Sequence, residues 1–166
     1  MKRIFCFMFA LILSISIAFA EEQPNLGVSP DDFIETMKST VKSGVVVSII
    51  ENGVTYNDTS LSWKLTMHND LKATISDGML SSITVTGGKK GTDNMEALLL
   101  FAYSAIASNK YLGDMTDVAL KVVLNAIFYH DYTINDIRYN MDHRDSKGFT
   151  FTIAPEAAYA EQDGET

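Results

Sequence analysis

Cysteine, proline and histidine are scarce in this chain. One cysteine, three prolines and three histidines occur in 166 residues. The lone Cys6 excludes an intrachain disulfide framework and any metal site built on several thiolates. Three prolines and ten glycines are too few for a collagen-like or low-complexity chain. Basic residues are also few, 13 against 21 acidic ones, for a formal charge of −8. A chain so poor in lysine and arginine lacks the electrostatic footprint of a nucleic-acid binder. No G-x-S-x-G, H-E-x-x-H or Walker spacing is present.

One long apolar run exists. Ile4 to Ile17 is interrupted only by Ser14 and Ser16, follows Lys2 and Arg3, and precedes Ala18-Phe19-Ala20. A positive start, an apolar centre and small residues at the two A-x-A positions are the three parts of a secretory signal peptide. The run is shorter than the roughly 20 residues of a spanning helix. Cleavage is therefore expected after Ala20, with residues 1–20 as the signal peptide and a periplasmic or extracellular destination. The mature chain then has 146 residues and no cysteine. Loss of Lys2 and Arg3 leaves 11 basic residues against 21 acidic ones, a formal charge of −10. A domain of this size buries about 68–70% of its unfolded surface, so core packing alone can hold it together.

The remaining chain reads as one α+β domain over 30–155, with a flexible lead-in at 21–29 and a disordered acidic tail at 156–166. Ser29-Pro30-Asp31-Asp32 opens a helix: serine caps, proline fits the first turn, and the aspartates suit the positive helix end. Phe33, Met37 and Val41 recur at helical spacing as far as residue 43, with Gly44 as the cap. Four strands in a meander follow. Val45 to Ile50 is β-branched, and Asn52-Gly53 is a hairpin signal. Leu61, Trp63, Leu65 and Met67 alternate with polar residues, as do Leu71, Ala73 and Ile75, and then Ile83 and Val85. Asn69-Asp70 and Asp77-Gly78 supply turns. Asp93 and Glu96 have the spacing of a capping box. Ala97 to Ala107 is apolar nearly all round, which predicts burial on more than one side. A second helix begins near Asp114 and Asp117. It places Val118, Val122, Val123, Ala126 and Ile127 on one face and Leu120, Leu124 and Phe128 on another. The phase shift between Tyr132/Ile134 and Ile137/Tyr139/Met141 predicts a β-bulge at Asn135-Asp136. Phe149, Phe151 and Ile153 form the closing strand. The expected fold is an antiparallel sheet with helices on one face, in the order α-ββββ-αα-ββ. The sheet's other face carries Ser, Thr and Lys and is either solvated or a binding surface.

Chemistry-bearing groups are sparse. Asp142, His143 and Asp145 form the one candidate metal cluster, with Arg144 placing a positive charge inside it. A solvated turn with local ion pairs accounts for the same residues. Tyr129-His130-Asp131 falls at a helix end, where histidine complements the dipole. The loop from Thr86 to Thr92 has the glycines of a phosphate cradle without its spacing, and Asp93 opposes an anion. Asn57-Asp58-Thr59 matches a glycosylation acceptor. No catalytic residue and no cofactor is expected.

The expected function is that of an exported, non-enzymatic binding protein, such as an inhibitor or immunity protein for a basic protein partner. A homodimer through the apolar helices is a further expectation. A carrier of a small molecule or lipid, with its pocket between sheet and helices, is the alternative. A hydrolase using Asp142, His143 or Asp145 ranks last. Nucleic acid and a membrane span after cleavage are not expected.

Overall fold

The computed structural model describes residues 24–43, 47–87, 91–109, 116–144 and 148–160. The expected signal peptide, Gly44, Asp145 and residues 161–166 of the expected tail lie outside them. Helix α1 spans Pro30–Ser43. The Asp32 N–H donates to Ser29 Oγ at 3.2 Å, and that hydroxyl donates to Asp32 Oδ2 at 2.7 Å. Such a cap is worth about 1 kcal/mol. Phe33, Met37 and Val41 are buried, as their spacing requires.

Seven strands form one antiparallel sheet in the order β1-β2-β3-β4-β7-β6-β5. They are β1 (Val54–Tyr56), β2 (Ser60–Lys64), β3 (Asp70–Ser76), β4 (Met79–Gly87), β5 (Asp131–Ile134), β6 (Ile137–Arg144) and β7 (Gly148–Pro155). Helices α2 (Gly91–Ser108) and α3 (Thr116–Tyr129) lie between the two runs of strands in sequence, and a short turn of helix, α4 (Ala157–Ala160), follows. The α+β class and the four-strand meander are as read from the pattern.

Three local readings change. The first strand of the meander is Val54–Tyr56, and residues 47–50 form no strand. Ile50 instead donates its N–H to Leu65 O at 2.8 Å and accepts from the Trp63 indole at 3.0 Å. Asn52 and Gly53 belong to a single 3-10 turn, Glu51–Gly53. The hairpin turn lies at 57–59, where Asn57 Oδ1 accepts from the N–H groups of Thr59 and Ser60, both at 2.9 Å. The glycosylation-type triplet is thus a side-chain-stabilised turn.

Second, Asn135-Asp136 is a hairpin turn and no bulge. Both residues have positive φ, 51° and 59°, the type I′ signature. Ile134 pairs with Ile137 across it. In one continuous strand these residues would face opposite sides. Across a two-residue turn they share a side, so the phase shift marks two strands. Asp77-Gly78, at φ 51° and 76°, is the matching turn between β3 and β4.

Third, the lead-in is fixed from Leu26 to Val28. Leu26 donates its N–H to Leu80 O at 2.7 Å, and Leu80 donates to Val28 O at 2.9 Å. The two flanking side chains are buried against the start of β4. Its polar composition concealed an apolar pair at i, i+2.

All the helices but α4 cover one face. Helix α2 packs on β4, β7 and α1, and α3 packs on β5, β6 and α2. Phe101 stacks on Phe151 with centroids 4.5 Å apart and meets Tyr139 edge-on at 6.3 Å. Burial pushes the Tyr139 hydroxyl up to about 12, although Asn109, donating to it at 3.0 Å, pulls the other way. No helix of the described residues is long and apolar enough to cross a membrane.

Candidate interaction surface

The uncovered sheet face is polar by register. One row crosses it from Ser62 through Lys72, Thr84, Thr152 and Asn140 to Asp131. Its charges nearly balance: Lys64 sits beside Asp70, and Arg138 engages Asp131. A shallow hollow of about 390 Å³ lies on it among Ser60, Ser62, Lys72, Thr74, Ser82 and Thr84. It offers hydroxyls and one ammonium beside an apolar area of similar size. Between sheet and helices, where a carrier would hold its ligand, the rings of Trp63, Phe101, Tyr139 and Phe151 are packed with no exposure.

The candidate metal residues fall at one end of this sheet. Asp142 is exposed on β6 and pairs with Thr150; His143 continues the strand opposite Phe149. Asp145 lies outside the described residues. Among the described residues no group of three or more His, Asp or Glu side chains converges on one point. The same end carries Gly87, opposite Phe149, and the β2–β3 turn. There Glu96 accepts from Thr66 Oγ1 at 3.1 Å and from Asn69 Nδ2 at 2.6 Å. Helix α2 already begins at Gly91, so Glu96 lies a turn inside it. Its carboxylate ties the helix to the turn instead of capping the helix start. Asn69 is fully buried, and its Oδ1 rests over Gly87, where a Cβ would lie 1.6 Å away.

The strongest departure from a closed fold is at the other margin. Val122 and Ala126 of α3 are buried, but Leu124 is 43%, Phe128 73% and Tyr129 72% exposed. Leu124 and Phe128 of the second apolar row read from the sequence therefore face solvent. Large apolar side chains exposed to this degree mark contact surfaces. His130 ends the helix in the left-handed region, φ 61°, and accepts from Met141 N–H at 3.0 Å. The chain then runs directly into β5, an edge of the sheet.

That backbone bond sets the phase of the edge. His130, Tyr132 and Ile134 bond inward to β6, so the N–H and C=O groups of Asp131 and Thr133 point outward. Side chains at this margin are held firmly. Arg138 donates from Nε to Asp131 Oδ1 at 2.7 Å and from Nη2 to Oδ2, and its guanidinium lies 4.2 Å from the Tyr159 ring centre. The hydrogen bond to Asp131 raises the arginine above its ordinary value. Thr133 donates to Glu156 Oε2 at 2.8 Å.

Comparison with protein-family models, curated proteins and solved structures found no match for this chain. The function must be argued from the geometry. Sequence reasoning separated the Leu124/Phe128 row from the buried row, but the edge position of β5 is a property of topology. Its one sequence signal was the phase shift at Asn135-Asp136.

Proposed function

We propose that the mature chain is an exported, non-enzymatic binding protein that recognises a basic protein partner through the α3–β5 margin. The observation that carries this reading is the solvent-facing pair Leu124 and Phe128, with the exposed Tyr129, on a helix that leads into a sheet edge paired by no other described residue. Apolar side chains left exposed to this degree on a small domain gain free energy when a partner covers them. The formal charge of −10 expected for the mature chain favours encounter with a basic protein and disfavours nucleic acid.

The test uses the tagged mature chain beside its Phe128→Asp variant. Each is incubated with an extract of the producing cells at low and high salt, and retained proteins are identified. A basic protein retained at low salt by the parent and lost from the variant is the expected result. Retention of nothing, or equal retention by both chains, would overturn the reading.

A further inference from the structure

We infer that the partner enters this margin as an added β-strand, an extended segment alternating apolar and basic residues that pairs with β5. The inference rests on the binding function proposed above and names its mode. The outward N–H and C=O groups of Asp131 and Thr133 are two residues apart, about 6.8 Å along the strand. They are the groups an incoming antiparallel strand uses, and no hydrogen bond to them exists among the described residues. Asp131-Tyr132-Thr133-Ile134 carries no lysine, proline or glycine to guard the edge. The opposite edge, β1, is only three residues long, and its Tyr56 hydroxyl is tied to Asp31 at 2.5 Å.

The two faces of β5 dictate the incoming side chains. On the helix side, Tyr132 and Ile134 belong to the core margin, and the exposed Tyr129 closes α3 just before the strand begins. Apolar side chains of an added strand continue that surface. On the open side stand Asp131 and Thr133, with Glu156 hydrogen-bonded to Thr133 and Asp136 exposed in the adjoining turn. Three carboxylates meet one guanidinium there, so lysine or arginine suits the alternate positions. A second copy of this chain suits them poorly. Antiparallel self-pairing of β5 brings Asp131 of each copy to the same seam and joins two strongly acidic chains.

The probe is a synthetic peptide of alternating valine and lysine. Its controls are a peptide of the same composition with the two residue types in separate blocks, and an alternating valine–glutamate peptide. Binding is followed by fluorescence anisotropy, and amide exchange of the full mature chain by NMR. The alternating valine–lysine peptide is expected to bind and to slow exchange of the Asp131 and Thr133 amides about tenfold. Thr133→Pro removes an outward donor at an edge position where proline is tolerated. It should weaken binding about tenfold, equivalent to about 1.4 kcal/mol, while circular dichroism stays unchanged. Equal binding of the block peptide, or unaltered binding by Thr133→Pro, overturns strand addition. So does a dimer whose β5 amides are protected without peptide. If Phe128→Asp abolishes partner retention while Thr133→Pro leaves it intact, the binding reading stands and strand addition fails.

Discussion

Gly87→Ala should be among the costliest single-methyl additions in this protein, although it lies in an ordinary strand conformation. The added Cβ falls 1.6 Å from Asn69 Oδ1 and 2.7 Å from its Cγ. Asn69 is fully buried and cannot swing into solvent. To clear the methyl, its amide must turn away and break two bonds from Nδ2, to Glu96 at 2.6 Å and to Thr66 at 3.0 Å. A hydrogen bond to a carboxylate is worth about 1.5–3 kcal/mol and a neutral one about 1, so the loss is about 3 kcal/mol. With a slope near 1.5 kcal/mol/M, the urea midpoint should fall by about 2 M. Asn69→Ala alone removes the same bonds and should cost about as much. In the Asn69→Ala background, however, the next-nearest neighbour of the alanine at 87 is Ala97 Cβ at 3.3 Å, and the substitution should be nearly neutral. The double-mutant cycle should therefore return a coupling of about 3 kcal/mol. Additive penalties, or a Gly87→Ala variant within about 0.5 kcal/mol of the parent, would refute the close approach.

Other outcomes follow from single contacts. His130→Gly relieves a left-handed backbone of φ 61° and should raise stability by about 1 kcal/mol in thermal melts. A loss would show that the long 3.4 Å contact from Nδ1 to Met141 O matters more than the backbone. One of the seven tyrosines should ionise late, at about 12, by ultraviolet titration. Because the folded Tyr139 value lies above its ordinary 10.0, its contribution is complete below pH 10. It is lost as pH rises through about 12, so stability should fall across that window and Tyr139→Phe should flatten the fall. Arg138→Lys loses the two-point bond to Asp131 and the stack on Tyr159. It should cost about 1 kcal/mol and hasten proteolysis after Pro155, with Arg138→Ala no worse than about 2. Cleavage at the parent's rate would remove Arg138 as the clamp on α4.

Periodicity was the reliable guide to this fold. The alternation in 61–65 and 71–75 placed β2 and β3, because each has one buried and one open face. The Ser29 cap and the Phe33-Met37-Val41 spacing placed α1 to its terminal residues. Failures came where tertiary partners outweighed local preference. Residues 47–50 look like a strand, but the Trp63 indole and Leu65 hold them outside the sheet. Glu96 had capping spacing, yet a buried asparagine 27 residues away claims its carboxylate. The exposed row of α3 was visible in the pattern as a second apolar stripe. Whether a stripe is covered depends on which strand lies beneath the helix, and neighbouring residues do not encode that. Of the Asp142, His143 and Asp145 grouping, Asp145 lies outside the described residues, and Asp142 is exposed on β6.

The strand order has a consequence in time. Seventy residues separate Ile83 from its partner Ile153, and β7 fills the gap between β4 and β6 at the middle of the sheet. A ribosome delivers β1 to β4 long before β7, so the half-sheet waits with one flank of β4 unpaired. Chains dominated by such distant pairings close slowly. For the exported chain proposed above, that delay keeps the centre of the sheet open until β7 arrives.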